Sequence, residues 1–242
     1  MRQIIGVIAV VASVVLLSHN WLANAQGAAT VTGTIKYEGA VPNLPKLDMG
    51  ADPKCAAKHA TPQSSEALVL GTGNLMANVL VSVKSGLPAG KTYPAPTEAV
   101  VIAQDGCMYK PHVFGVVVGQ PIKFLNKDGT LHNVHALPVA NRPFNLSMPA
   151  AMTESPPKDF AKVEDPFKIK CDVHPWMNTW ARVLDHPFFS VSQTDGKFTI
   201  SGLDPGEYEI EAWHEKLGAQ TAKVTVAAGG TATTDFTFKT PQ

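Results

Sequence analysis

The chain has 242 residues, 45% of them hydrophobic, and its 20 basic side chains balance 20 acidic ones. Such a composition belongs to a folded protein rather than a disordered one, and a zero formal net charge leaves no electrostatic footprint for nucleic acid. The length suffices for one large or two modest domains.

The first segment reads as a secretory leader. Met1-Arg2, the apolar run Ile4 to Leu17 and the small-x-small triplet Ala23-Asn24-Ala25 form a signal peptide over residues 1–25, with a mature start at Gln26. The run is shorter than a membrane span. The mature protein is therefore expected to be periplasmic or secreted and monomeric, without stable membrane insertion. Losing Arg2 leaves it with one net negative charge.

Short stretches rich in Val, Ile, Thr and Phe then alternate with Gly and Pro, and no long segment shows a helical period, which predicts an all-β sandwich architecture. The first strand is expected at Val31–Tyr37, followed by a Pro-rich stretch and a looser one holding Asp52 and Cys55. Ala67–Leu70 and Ala77–Val83 read as two further strands. Val100–Ile102, Tyr109–Val113, Val116–Gln120 and Ile122–Asn126 follow with turns between them. The segment from Glu154 to Glu164, with Pro156-Pro157, reads as a solvated connection. After it, the Asp195-Gly196 turn introduces Phe198–Ile200, and strands are expected at Glu207–His214, Lys223–Val226 and Thr234–Phe238.

One stretch stands apart. Phe167 and Ile169 alternate as in a half-buried strand, and Cys171, His174 and Met177 follow at Cys-x-x-His-x-x-Met spacing. One Cys, two His and a weak axial Met are the ligands of a blue-copper centre. The missing imidazole lies upstream in Leu131-His132-Asn133-Val134-His135, where either histidine offers a donor. Of the three cysteines, Cys55 and Cys107 remain, and an oxidising compartment lets two leftover cysteines pair as a disulfide. The rival reading, a second metal site from Cys55 with His59 and Cys107 with His112, rests on unspecific spacing.

Two resemblances follow from these motifs. The series Asp195, Gly196, Phe198, Ile200, Leu203, Pro205, Gly206 and Tyr208 resembles the carboxypeptidase regulatory-like (transthyretin-like) sandwich, a structural module without catalytic residues. Between its two halves, Pro111, Val116, Gly119, Ile122, Phe124, Asn126, His132, Asn133, Val134, Cys171, His174 and Met177 resemble the cupredoxins, and the short loop with Pro175 looks most like amicyanin. The resemblance implies a Greek-key cupredoxin sandwich over residues 97–185, inserted in or packed on a second, transthyretin- or Ig-like sandwich made of residues 26–96 and 186–242.

The cupredoxin likeness implies one mononuclear type 1 copper held by His132, Cys171, His174 and Met177, with His135 facing away. Asn133 is expected to tie the His132 strand to the Cys171 loop, Pro175 to fix the backbone beside His174, and Trp176 to shield the metal and offer an apolar docking patch at an exposed edge of His174. Two departures stand out: Ile169 replaces a common aromatic residue, and Asp172-Val173 follow the Cys where amicyanin-like loops often carry Pro. Without that Pro a second backbone N–H is free to reach the Cys171 sulfur. The implied function is one-electron transfer between redox proteins such as a cytochrome c or a dehydrogenase, with no enzymatic chemistry. The alternative is an extracytoplasmic binding module for carbohydrate, peptide or a partner protein, with copper structural or carried for delivery.

Overall fold

The computed structural model describes residues 28–240, so the leader expected over residues 1–25 lies outside the described residues. Sixteen strands, one short α-helix and one 3-10 turn (Thr72–Asn74) follow one another among these residues. The strands are β1 (Ala29–Glu38), β2 (Leu80–Ser85), β3 (Val100–Gln104), β4 (Tyr109–Lys110), β5 (Val113–Val117), β6 (Ile122–Asn126), β7 (His132–Ala136) and β8 (Phe144–Met148). They continue as β9 (Glu164–Lys170), β10 (Asn178–Leu184), β11 (Phe189–Val191), β12 (Lys197–Leu203), β13 (Gly206–His214), β14 (Gly218–Val226), β15 (Thr231–Thr233) and β16 (Phe236–Lys239). The helical turn α1 spans Pro53–Ala56. The fold is all-β, as the apolar alternation predicts.

The first sandwich sets β12-β1-β15, with β16 also paired to β1, against β11-β2-β13-β14. Alternation drives it: Val31, Ile35 and Tyr37 of β1 point inward to meet Val81, Val83, Phe198, Ile200, Tyr208, Ile210 and Phe238 in one core. The Asp195-Gly196 turn needs its glycine. Gly196 has φ of 66°, and a Cβ there would lie 2.7 Å from the Ile35 carbonyl oxygen, a position only glycine fills without strain.

The second sandwich sets β5-β10-β9-β7-β8 against β4-β3-β6. The parallel pairings of β3 with β6 and of β5 with β10 demand connections that cross between the sheets, the Greek-key kind. Its core gathers Ile102, Tyr109, Val116, Ile122, Phe124, Val134, Phe167, Ile169 and Val183. Burying side chains of this size contributes roughly 1.5–3 kcal/mol each, so the core can hold rigid a loop built at its end.

The two sandwiches share a seam. Every residue of β2 from Leu80 to Val83 is buried, because Val81 and Val83 face the first core while Ser82 turns to the second sandwich. Arg182 of β10 donates to Ser82 Oγ at 3.2 Å and to Glu211 Oε1 at 2.6 Å. The Trp180 and Trp213 rings meet at 5.5 Å.

Three local expectations are corrected. Ala67–Leu70 forms no strand and contributes one bridge, Leu70 with Met76. The Glu154–Glu164 stretch is not simply solvated: Phe160 packs into the second core, and Glu164 is buried and accepts N–H bonds from Val139, Ala140 and Asn141. Finally, the segment around Cys55, assigned by sequence to the first sandwich, packs elsewhere: Leu47, Met49 and Cys55 cluster with Cys107, Met108 and Trp176 at the end of the second.

Candidate metal centre

His132 opens β7, Cys171 follows the last residue of β9, and His174 and Met177 lie in the connection to β10. That connection is a closed turn, because Cys171 N–H donates to the Met177 carbonyl at 3.0 Å and Met177 N–H to that of His174 at 2.9 Å. The turn folds His174 and Met177 back over Cys171. As a result His132, Cys171 and His174 offer one ligand atom each, all within 4.8 Å of one another. The two Nδ1 atoms face each other at 3.0 Å, and Cys171 Sγ lies 3.6 Å from His174 Nδ1. All three are buried, as is Met177, which packs in the same core as Cys171.

The outer nitrogens are held by carboxylates. His132 Nε2 lies 2.9 Å from Asp128 Oδ2, and Asp128 is itself fixed by the N–H groups of Gly106 and Cys107 at 2.7 and 2.9 Å and by Lys58 at 3.1 Å. Burial opposes the Asp128 charge, but these donors outweigh it and hold its pKa at about 2. Burial likewise opposes charging His132, and its contacts with Asp128 and Cys171 raise its pKa nonetheless. His174 Nε2 lies 3.0 Å from Asp52 Oδ2, a contact that holds the Asp52 carboxyl below its ordinary range. A carboxylate on the far nitrogen fixes an imidazole's tautomer and ring orientation, so both rings present Nδ1 inward.

The surroundings of Cys171 favour its thiolate. Burial pushes the Cys171 pKa up, and the opposing contacts with His132 and with the backbone N–H groups of Asn133, His174 and Val173 bring it below its ordinary value. A thiolate is the metal-binding form.

Asn133 sits between β7 and the loop that begins at Cys171. Its Oδ1 accepts the Asp172 N–H at 2.6 Å, and its Nδ2 donates to Asp172 Oδ2 at 3.0 Å. Asp172 also accepts from Lys170 at 2.8 Å, Asn145 at 2.9 Å and His135 at 2.9 Å, which draw its pKa far below the carboxylate range. His135 therefore points to the rim, away from the three donors. Pro175 is exposed on the turn.

The Trp176 ring lies 5.0 Å from that of His174, and its Nε1 donates to the Cys107 carbonyl at 3.0 Å. The expected exposed edge of His174 is absent: the residue is 1% exposed. A disulfide between Cys55 and Cys107, with Cα atoms 5.5 Å apart, holds α1 across that edge, and Cys55 Sγ lies 3.6 Å from His174 Nε2. The bridge leaves neither cysteine for the rival second metal site. His59 instead meets the Gly106 carbonyl at 2.7 Å, and His112 is buried between Glu66 and Glu215.

Sequence reasoning did not find Asp128 or Asp52. Asp128 carries a local signal, four residues before His132 on the approach to its strand; Asp52 lies 122 residues from His174 and carries none.

Among known proteins, residues 186–239 match the model of the carboxypeptidase regulatory-like domain. No curated protein sequence matches the chain. The chain is similar to copper-containing nitrite reductase from Thermus scotoductus, at 21% identity over 41% of this chain and 25% of that one, with a TM-score of 0.33. It therefore spans about a quarter of the reductase's length. A mutant of amicyanin in its oxidised state is similar at 19% identity over 43% of this chain and 98% of that one, with a TM-score of 0.32. A purple cupredoxin from Nitrosopumilus maritimus is similar at 20% identity over 35% and 99% of the two chains, with a TM-score of 0.25.

Proposed function

We propose that the protein is an exported type 1 copper protein that carries single electrons between redox partners. The observation that carries this reading is the donor set: the His132 imidazole at the start of β7, with the Cys171 thiol, the His174 imidazole and the Met177 thioether on one closed turn, all buried. Soft sulfur with imidazole suits copper, and a Cys with two His and a long Met contact is the composition of a blue-copper site. His132 Nδ1, Cys171 Sγ and His174 Nδ1 would bind the ion, with the Met177 thioether as the weak axial contact. Copper would supply the Cu(II)/Cu(I) couple. The chain's own residues keep the donors in place whichever form is bound: Asp128 and Asp52 fix the imidazoles, and Asn133 with Asp172 fixes the loop that presents the thiolate.

The site is read as a carrier rather than an enzyme because its donors are buried away from solvent. Periplasmic or secreted location, a monomeric state and a partner such as a cytochrome c or a dehydrogenase belong to the same proposal. The regulatory-like sandwich serves as a rigid mount, joined to the metal domain through the Arg182–Glu211 ion pair.

Voltammetry of the copper-loaded protein tests the reading. It predicts a reversible one-electron wave with one copper per chain. A protein that loads copper but gives no such wave would leave delivery or structural use of the metal, as in the binding-module alternative.

A further inference from the structure

The four donors are sealed at the end of their sandwich by chain from outside it. Residues 47–59 lie in a loop closed at its base, where Leu47 N–H donates to the Gln63 carbonyl at 2.8 Å and Ser65 N–H to that of Pro45 at 3.3 Å. It is fastened to the metal end at four points. These are the Cys55–Cys107 disulfide, Lys58 on Asp128 at 3.1 Å, His59 on the Gly106 carbonyl at 2.7 Å and Asp52 on His174 at 3.0 Å. Leu47 and Met49 pack beside Trp176 and Met108 beneath it.

Asp52 does two jobs with one carboxylate. Its Oδ1 accepts the N–H groups of Lys54 and Cys55 at 2.9 and 3.4 Å, capping α1, and its Oδ2 faces His174 Nε2. An N-cap side chain is held by the turn it caps, so α1 aims the carboxylate at the imidazole. The far nitrogen of His174 is thus held by the loop rather than by the turn that carries the residue.

We propose that residues 47–59 are a cap that retains the metal, that Asp52 is the positioning residue within it for His174, and that the ion leaves only when the cap lifts. The inference rests on the metal reading above. An electron needs no such opening, whereas an ion or a chelating group must pass the cap.

The test uses the mature protein loaded with Cu(II), with its visible band followed after adding excess EDTA. The Cys55→Ser/Cys107→Ser double variant is expected to lose copper at least tenfold faster than the wild type. Asp52→Ser keeps an N-cap oxygen but is too short to reach His174, and is expected to lose copper faster by a similar factor. Asp52→Asn, which keeps both the cap and an acceptor for Nε2–H, is expected to stay near the wild-type rate. Should the double variant fail to fold, Asp52→Ser and Lys58→Ala carry the test with the disulfide intact. Equal decay rates in all folded variants overturn the cap while leaving the metal reading standing. A wild-type protein that takes up no Cu(II) overturns both.

Discussion

Asn133 and Asp172 grip each other from both sides, the amide oxygen of one taking the other's backbone N–H at 2.6 Å while its Nδ2 donates to the carboxylate at 3.0 Å. The pair spans the gap between β7, which carries His132, and the loop that begins at Cys171. Asn133→Ala removes both bonds and leaves the ligands themselves intact. Losing such an outer restraint typically costs 10–100-fold in metal affinity, and copper affinity measured against a competing chelator is expected to fall in that range. The global fold is expected to lose only about 1–3 kcal/mol, read from urea unfolding of the metal-free protein.

Val173 supplies one of the backbone N–H groups that lower the Cys171 pKa. Hydrogen bonds to a ligand sulfur favour the electron-rich reduced state and raise the potential. Val173→Pro removes that donor, so its potential is expected to fall below the wild type's while the thiolate-to-copper absorption persists. An unchanged potential with normal absorption counts against the role given to this N–H.

At the seam, His112 is enclosed by Glu215 and Glu66. Burial disfavours its charge, but the two carboxylates prevail and raise its pKa to about 9. A raised histidine pKa stabilises fully below the unfolded value near 6.5, and that contribution is lost as pH rises through about 9. The shift corresponds to roughly 3 kcal/mol at most. Urea midpoints should therefore fall between pH 7 and 10 in the wild type, and fall less in His112→Gln. Glu215 works in the opposite window: burial opposes its charge, His112 overrides this, and its depressed pKa gives stability that is lost as pH drops below the usual carboxylate range.

His214 behaves differently because nothing accepts or donates at its buried Nε2. Burial drives its pKa down to about 4. The unfolded chain binds this proton first, so stability is full above pH 6.5 and is lost progressively towards pH 4, by roughly 3 kcal/mol at most. His214→Phe, which stays beside Phe238, is expected to flatten the urea-midpoint profile between pH 7 and 4.5.

The sequence revealed those features that depend on short spacing. Alternation at Val31–Tyr37 and Phe167–Ile169 located strands, Asp195-Gly196 located a turn, and the Cys171, His174, Met177 spacing marked the turn that gathers these side chains. Elimination among three cysteines was enough for the Cys55–Cys107 bridge. Features that depend on contacts between distant segments were not legible. An apolar run such as Ala67–Leu70 lacks a partner strand in space, which no local pattern can show. Phe160 sits in a polar connection yet plugs the second core. The burial of His174 depends on Asp52 and Cys55, more than a hundred positions away, so an exposed histidine edge was a reasonable expectation from the loop alone.

The most direct test of the copper reading is the optical spectrum of the mature protein after adding Cu(II), with Cys171→Ser measured alongside. The account predicts an intense visible thiolate-to-copper band in the wild type that is absent from the variant. A wild type without the band, or a band that survives in Cys171→Ser, would contradict it.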